Sequence, residues 1–436
     1  MSEGSVNEWC MKPLHSLAQV LSGGTPSRYV AEFWEEGTIP WVTPTDLTGT
    51  AGRFLSDTRE CITARGLNSC SATLLPVGTI LMTSRATLGE IRIATNQVCT
   101  NQGFKNLVPL PGTHGPFLYY QLSHNKERYR ALGIGSTFLE VNKRDTERFE
   151  VLVPPTLDQQ YQIAEILSTV DEAIEQTETL IAKMQQIKAG LMHDLFTRGV
   201  TKDGQLRPPR EEAPYLYKES PLGWIPKEWE HGILNDIISP ARPIVYGILM
   251  PGQGVPGGVP VIKVKDIIDG IVNDDDLLLT SQDIDEEYQR SKLKKGDILL
   301  TIRGTVGRLA LVPPHLDQAN ITQDTARIGV VLGYPEFYRF YLETDQPRQY
   351  FAVNTLGVAV QGINLRDVRM TPVPIPQIIE QFSIAQRLKN AIETIRANEK
   401  SLGKLLNTKK GLMHDLLTGR VRVKTKSLPP TKSAHV

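Results

Sequence analysis

Apolar residues recur at alternating spacings of four and three along two long stretches of the chain. In the first stretch this register begins at Ile163, and in the second it begins at Ile384. A 3.5-residue repeat sustained over several heptads is typical of helices that pack together as a coiled coil. The polar exceptions fall at the same two positions in both stretches, which favours one registered helix–helix contact. The predicted interface consists of Ile163, Leu167, Val170, Ile174, Ile181, Met184, Leu191, Ile384, Leu388, Ile395, Leu402, Leu405 and Leu412.

Both stretches belong to a duplicated unit. The segment GLMHDLFTRGV at 190–200 returns as GLMHDLLTGRV at 411–421, and GTILMTSRATLGEIRIA at 78–94 returns as GDILLTIRGTVGRLALV at 296–312. The second pair predicts two short strands around a glycine-containing turn, and helical periodicity follows it. The sequence therefore predicts an α+β fold of two similar globular domains separated by two long antiparallel coiled-coil helices, a tandem duplication with pseudo-two-fold symmetry. Alternatively, each helix packs only on its own domain.

Proline-rich and glycine-rich stretches mark the boundaries between these parts. A proline stop precedes each long helix, and a stretch rich in proline, glycine and charge follows the first one. The predicted parts are a first globular domain at 1–152, a first long helix at 153–200, a linker at 201–228, a second globular domain at 229–374, a second long helix at 375–420 and a basic tail at 421–436.

Composition narrows the possible functions. The 48 basic and 48 acidic side chains balance, so any DNA affinity must come from local patches or from partner subunits. No apolar run approaches the ~20 residues that span a bilayer, which predicts no membrane contact. The four cysteines lack zinc-ligand spacing, so we expect free thiols in a cytoplasmic protein and no metal site. The phosphate-loop motif GxxxxGK(S/T) and the adenine methyltransferase motif (D/N)PP(Y/F) are both absent, so we expect no catalytic site.

The long helices carry a more specific pattern. The first follows the scheme PPxLxxQxxIAxxL from Pro154, and the second repeats part of it, with Pro376, Glu380-Gln381 and Ile384-Ala385. Each ends in KxGLMxxLxTG or a close variant. Together with GGTPSR at 23–28, this arrangement resembles the specificity subunits of type I restriction–modification enzymes. The departures from the family pattern are Gln159 in place of glutamate, Ile392 at the position that matches Asp171, and SPARPIVYGI at 239–248 in place of a GGTP opening.

The resemblance implies a DNA-binding subunit that has no catalytic site and binds no cofactor itself. Each globular domain would be a target-recognition domain for one half of a bipartite site in double-stranded DNA, with the helix pair setting the distance between the halves. Two methyltransferase (modification) subunits would bind the repeats and supply S-adenosylmethionine for adenine methylation. Separate motor–nuclease (restriction) subunits would use ATP and Mg to cleave unmodified DNA.

Candidate DNA contacts follow from comparing the two domains. Side chains that both domains share cannot distinguish different half-sites, so they are assigned to phosphate positioning, with a purely structural turn as the alternative. Base reading is expected where the domains differ. The shared residues are Thr83, Arg85, Thr87, Thr301, Arg303 and Thr305, and further phosphate contacts are predicted at Lys143, Arg144 and Arg366. The differing residues are Thr43, Thr45 and Arg53 against Lys263 and Lys265, and Phe138–Glu140 against Gln361.

Two other functions remain open at this point. A coiled-coil structural adaptor with two protein-binding domains would suit the neutral net charge. Salt-sensitive DNA binding by the assembled complex would separate it from a specificity subunit. A self-contained restriction–methylation enzyme would need the catalytic motifs that the sequence lacks.

Overall fold

The computed structural model describes residues 8–50, 52–85, 87–134, 139–357 and 361–423. Phe138 and residues 424–436 of the predicted basic tail lie outside this described part. The chain forms two compact units, one made of Met1–Leu180 with Asn398–Val436 and the other of Ile181–Ala397. Each unit therefore contains one globular domain and parts of both long helices.

The first unit has an α+β domain. Its central strand, formed by the apolar run ILMT, is buried along its whole length. Its strands are β1 (Cys10–Pro13), β2 (Ala18–Ser22), β3 (Ile39–Val42), β4 (Phe54–Leu55), β5 (Glu60–Ile62), β6 (Ile80–Thr83), β7 (Ile91–Ala94), β8 (Cys99–Thr100), β9 (Phe104–Pro109) and β10 (Glu150–Val153). Its shorter helices are α1 (Pro44–Gly49), α2 (Ala64–Asn68), α3 (Gly115–His124), α4 (Lys126–Arg130) and α5 (Lys143–Arg148). The first long helix, α6 (Leu157–Thr197), begins in this unit.

The second unit has a domain of the same kind. Its strands are β11 (Tyr217–Ser220), β12 (Gly223–Pro226), β13 (Glu230–Ile233), β14 (Val245–Tyr246), β15 (Val259–Ile262), β16 (Ile267–Ile268), β17 (Ile271–Val272), β18 (Leu278–Thr280), β19 (Ile298–Thr301), β20 (Leu309–Leu311), β21 (Asn320–Ile321), β22 (Thr325–Ile328), β23 (Thr355–Leu356), β24 (Gly362–Ile363) and β25 (Pro372–Ile375). Its helices are α7 (Gln282–Glu287), α8 (Pro335–Leu342), α9 (Asp345–Asn354), α10 (Leu365–Arg369) and the start of the second long helix, α11 (Ile378–Leu417).

The sheets of the two units share one strand order, except that the larger sheet of the first unit has a fifth strand, β4. The larger sheet has the order β2-β9-β6-β7-β4 in the first unit and β14-β22-β19-β20 in the second. The smaller sheet has the order β5-β3-β8 in one and β18-β15-β21 in the other, and each combines one antiparallel pairing with one parallel pairing. The predicted hairpin is present in both copies, as the antiparallel pairs β6–β7 and β19–β20. The structure therefore contains the duplication that the sequence predicts.

The long helices run antiparallel within each unit. In the first unit Ile163, near the start of α6, shares a buried core with Leu416 at the end of α11. In the second unit Leu195, near the end of α6, shares a buried core with Ile384 near the start of α11. Every residue of the predicted helix–helix interface is buried or partly buried. The predicted fold class, two similar α+β domains with two long antiparallel helices, is confirmed.

The long helices pack on each other and also on the globular domains, so the two alternatives from the sequence do not exclude each other. The same buried core that contains Ile163 and Leu416 also contains Phe117 of α3, so the helices pack on the domain as well as on each other. Both helices are a few residues shorter than the predicted 153–200 and 375–420. The prolines hold the preceding residues in the extended strands β10 and β25, because the residue before a proline disfavours helix.

Residues 201–228, whose composition predicts a linker, are folded into the second unit. They contain the antiparallel hairpin β11–β12. The side chain of Arg207 is buried, and its guanidinium lies 2.5 Å from the Glu380 carboxylate at the start of α11. Tyr217 and Ile225, in the same segment, are buried as well. The high content of proline, glycine and charge reflects tight turns and a buried ion pair, so this part of the sequence prediction is corrected.

Candidate nucleic-acid interface

A tight turn follows the central strand of each domain, and a buried threonine holds it in shape. The Thr83 hydroxyl donates to the carbonyl oxygen of Thr87 at 2.6 Å and accepts from the backbone N–H of Glu90 at 2.9 Å. In the second domain Thr301 makes the same bonds, donating to the Thr305 carbonyl and accepting from the Arg308 N–H. Because both hydroxyls are buried and engaged, Thr83 and Thr301 have a structural role in the turn. This corrects their assignment as DNA contacts.

Two further segments of the first domain meet this turn. The backbone N–H of Ser84 donates to the Gly103 carbonyl at 2.7 Å, and the N–H of Val141 donates to the Ser84 carbonyl at 3.1 Å. These bonds bring the exposed side chain of Arg85 next to the loop at 101–103 and to the beginning of α5. The predicted contacts Lys143 and Arg144 are exposed in the first turn of that helix.

The second domain repeats the arrangement. The N–H of Ile302 donates to the Asp324 carbonyl at 2.8 Å, and the N–H of Ile363 donates to the Ile302 carbonyl at 2.9 Å. The N–H of Gly304 also donates to the Gln361 carbonyl at 2.9 Å. The exposed side chains of Arg303, Thr305, Gln361 and Arg366 therefore come from adjoining segments.

The segment that follows β3, and the one that follows β15 in the second domain, also lie next to these adjoining segments. The N–H of Asn101 donates to the Val42 carbonyl at 3.1 Å, one residue before Thr43. The corresponding bond in the second domain, from Thr322 to Ile262, is 3.2 Å long and immediately precedes Lys263. We define the candidate face as Thr45, Arg85, Thr87, Gln102, Glu140, Lys143 and Arg144 in the first unit, and Lys263, Lys265, Arg303, Thr305, Gln323, Gln361 and Arg366 in the second.

The two copies of the candidate face differ in charge. In the first unit Arg85 forms an ion pair with Glu140, with 2.8 Å between Nε and Oε2. In the second unit Gln361 stands in the corresponding segment, and the Arg303 guanidinium makes a long hydrogen bond of 3.4 Å to the Gln323 side chain. No ion pair with a described residue engages Arg303 or Arg366. The second copy therefore presents more uncompensated positive charge than the first.

Two grooves flank Gln361 in the second unit. One, of about 660 Å³, has Thr305, Arg308 and Arg348 in its lining, and the other, of about 610 Å³, has Arg303. Both grooves include Gln361, whose amide can donate and accept hydrogen bonds at once. The sequence comparison singled out Gln361 and Arg303, but it gave no signal for Arg308 and Arg348.

Arg53 does not belong to the candidate face. Its guanidinium donates to the Tyr120 hydroxyl at 2.7 Å and to the Glu172 carboxylate on α6 at 3.2 Å, and it lies 3.7 Å from Asp171. Only 11% of its side chain is exposed. A buried guanidinium needs carboxylate partners, and Arg53 finds them on the long helix. Its prediction as a base-reading residue is therefore corrected.

The counterpart of the GGTPSR motif in the second domain is found only in the structure. A Cβ atom added to Gly23 would lie 2.2 Å from the Thr100 carbonyl oxygen, and one added to Gly247 would lie 1.9 Å from that of Ile321. The next residues, Gly24 and Ile248, donate their N–H groups to these same two carbonyls at 2.9 and 2.8 Å. YGILM at 246–250 therefore occupies the place of SGGTP at 22–26.

The structure also bears on metals and membranes. Within the described ranges no group of three or more His, Cys, Asp and Glu residues is arranged to hold a metal ion. The four cysteines are free thiols. Of the helices in the described part of the chain, none is both long enough and apolar enough to cross a membrane.

Comparison with known proteins identifies the family of this chain. Residues 7–186 and 253–407, more than half of the chain, match the family described as Type I restriction modification DNA specificity domain. The chain is 26% identical over 427 residues to the Type I restriction enzyme MjaIX specificity subunit of Methanocaldococcus jannaschii. This alignment covers 95% of this chain and 94% of that protein. It is 29% identical over 312 residues to the Type I restriction enzyme EcoBI specificity subunit of Escherichia coli, which covers 70% of this chain and 65% of that protein.

A solved structure supports the fold. The crystal structure of the S subunit of a type I restriction-modification system from M. genitalium has a TM-score of 0.58 at 16% identity, covering 96% of this chain and 98% of that chain. The named relatives are specificity subunits, so the resemblance seen in the sequence and the prediction of a non-catalytic subunit are both confirmed. The chain belongs to the type I restriction modification DNA specificity domain family.

Proposed function

We propose that this chain reads a bipartite, asymmetric target in double-stranded DNA, with one half-site for each domain. The observation that carries the proposal is the duplicated candidate face. The two copies share their backbone hydrogen bonds but differ in exposed side chains, with Thr45 against Lys265 and Glu140 against Gln361. A common scaffold with different side chains is what two readers of unlike half-sites require, because base edges are distinguished by side-chain hydrogen bonds.

The same face also supports phosphate contacts. Arginine side chains without carboxylate partners are free to bind phosphate oxygens, which fix the position of a protein on the duplex without reading its sequence. Arg303 and Arg366 fit this role in the second domain, and Lys143 and Arg144 lie at the matching place in the first. Because the net charge is zero, these local contacts carry the affinity of this chain.

The chemistry belongs to partner subunits in this proposal. Two methyltransferase subunits bind the complex and supply S-adenosylmethionine, and motor–nuclease subunits supply ATP and Mg for cleavage of unmodified DNA. This assembly acts in the cytoplasm. In this proposal the helix pair sets the distance between the two half-sites.

The test is a map of DNA methylation. The chain is co-expressed with the methyltransferase subunit encoded next to it in a methylation-free host, and methylated adenines are located by single-molecule sequencing. We expect one bipartite motif with a methylated adenine on each strand. Exchange of residues 1–152 for those of a relative should change one half of the motif, and exchange of 229–374 should change the other. Co-purification of the subunits without any motif would contradict DNA reading by this chain.

The charge difference between the two copies of the face gives a prediction about salt. Arg303→Ala, in complex with the methyltransferase subunits, should weaken binding to all sequences alike and reduce the slope of log K against log salt by about one. Arg85→Ala should change the slope less, because Glu140 already neutralises Arg85. The measurement is DNA affinity at several salt concentrations.

Arg210→Ala serves as the control for this series, because Arg210 is an exposed arginine of the same unit outside the candidate face. Its slope should equal that of the unaltered chain. An Arg303→Ala slope that matches the control would remove Arg303 from the phosphate contacts.

A further inference from the structure

The side chain of Tyr29 is 100% exposed, at the tip of a turn over residues 27–30 within the connection 23–38 between β2 and β3. Single exposed apolar side chains are common on protein surfaces, so exposure alone has no functional meaning. The segment that carries Tyr29 is unusual in how firmly it is fixed.

One set of contacts that fixes this segment involves Arg28, the residue before Tyr29. Its guanidinium makes two hydrogen bonds with the Glu60 carboxylate, at 2.5 and 2.8 Å, and stacks 3.7 Å from the centre of the Trp34 ring. The Trp34 indole N–H donates to the Ser27 carbonyl at 3.0 Å. Arg28 is thus occupied within the protein and holds the backbone next to Tyr29.

A second set of contacts fixes the beginning of the segment, at Gly24 and Thr25. The indole N–H of buried Trp41 donates to the Gly24 carbonyl at 3.0 Å, and the Thr25 hydroxyl is hydrogen-bonded to the Gln102 side chain. Gln102 belongs to the candidate face, and Gly103 beside it accepts from Ser84. The backbone that leads to Tyr29 is therefore fixed, and it is bonded to the candidate face through Gln102.

The second unit also has exposed apolar side chains close to its counterpart of Gly23, at positions that match Thr25 and Pro26 rather than Tyr29. After Gly247, the counterpart of Gly23, Leu249 is 48% exposed and Met250 is 83% exposed. Leu249 also lines the groove that contains Arg303 and Gln361. Both units therefore present exposed apolar side chains beside polar ones, but the two tips differ in shape.

We propose that these tips are wedges that enter the DNA base stack, Tyr29 in the half-site read by the first unit and Leu249 with Met250 in the other. This inference rests on the proposed function. Apolar side chains inserted between base steps partly unstack them and bend the duplex, and the cost depends on the sequence at that step. The backbone next to Tyr29 is already fixed, and a tyrosine side chain has few rotatable bonds, so little conformational freedom is lost on binding. The tips would then add selectivity through base-step flexibility rather than through hydrogen bonds.

The test uses the complex with methyltransferase subunits and a duplex that carries the mapped motif. Tyr29→Ala should weaken binding about ten- to a hundredfold, by analogy with loss of one base–aromatic stack, whereas Tyr29→Phe should bind normally. With 2-aminopurine placed at each step of the two half-sites in turn, a fluorescence rise at one step of the first half-site should disappear in Tyr29→Ala and persist in Met250→Ala. Met250→Ala should abolish a rise in the second half-site only.

The outcomes separate the wedge from the proposed function. If the unaltered chain directs methylation to a bipartite motif while Tyr29→Ala keeps full affinity and the same fluorescence, the wedge is wrong and DNA reading stands. If no motif exists, the proposed function itself fails. If Tyr29→Ala instead prevents the subunits from assembling without DNA, the tip contacts protein and the wedge is again wrong. Because Tyr29 is fully exposed, thermal unfolding of the variant should match that of the unaltered chain.

Discussion

Replacing Asp171 by alanine is expected to destabilise the first unit by about 3 kcal/mol. The Asp171 carboxylate on α6 accepts from Lys409 Nζ on α11 at 2.6 Å and from the Tyr120 hydroxyl at 2.6 Å. Arg53 lies 3.7 Å away. Alanine would leave two cations and a buried hydroxyl without this acceptor. The expected loss lies at the lower end of the range for buried pairs, because Lys409 remains partly exposed.

The measurement is hydrogen exchange of the amides in the first unit, compared with those in the second. Glu172→Ala is the matched control, since its carboxylate also binds Arg53 but is 60% exposed, and surface pairs contribute less than about 1 kcal/mol. Equal losses in the two variants would contradict the importance of burial at Asp171. Combining Asp171→Ala with Lys409→Ala measures the coupling between the two helices.

Replacing Glu380 by alanine is expected to cost the second unit about 3–5 kcal/mol. The Glu380 carboxylate binds the Arg207 guanidinium at 2.5 and 3.2 Å and accepts from the backbone N–H of Val200 at 2.8 Å. Burial alone would lower the pKa of Arg207, but hydrogen bonds from Arg207 to Glu380 and Glu228 raise it, so the guanidinium stays charged. Without Glu380, that buried charge and the Val200 N–H both lose their main partner.

Denaturant unfolding followed by hydrogen exchange in the second unit measures this loss. Glu228→Ala removes the other carboxylate of Arg207, which is 68% exposed, and should cost less than about 1 kcal/mol. The repeat position in the first unit is Gln159, whose side-chain oxygen is buried and has no hydrogen-bond partner among the described residues. A Glu380→Ala variant as stable as Glu228→Ala would show that the ion pair adds no more than a surface contact.

Local sequence patterns predict the regular parts of this fold well. The register that starts at Ile163 and Ile384 agrees with the burial along both helices, because a heptad repeat states directly which side of a helix is covered. The hairpin turns are predictable because their two copies differ little. The duplication also predicts which segments of the two domains correspond, including those that contribute Arg303 and Gln361 to the candidate face.

Sequence patterns do not predict contacts between parts of the chain that are distant in sequence. Nothing near Arg53 indicates that its partners are Tyr120 and Asp171, and nothing near Arg207 indicates Glu380. The match between Gly23 and Gly247 is hidden in the sequence because their spacing of 224 residues differs from the 221 residues that separate GLMHDLFTRGV from GLMHDLLTGRV. A threonine in a turn and a threonine that faces DNA look alike in sequence, and only the hydrogen bonds of Thr83 distinguish them.

The first unit combines residues from both ends of the chain, and this affects how the chain folds while it is being synthesised. The side-chain amide of Gln121 donates to the Leu417 carbonyl at 2.8 Å, across 296 positions of sequence. The second unit, Ile181–Ala397, is continuous and has all its residues as soon as Ala397 has been added. Domains usually fold in their order of synthesis, but here the core of the unit made first is complete only when the end of α11 has been added. A chain that stops after Ala397 would therefore keep every residue of its later unit and lose the second half of α11, which completes the core of the earlier one.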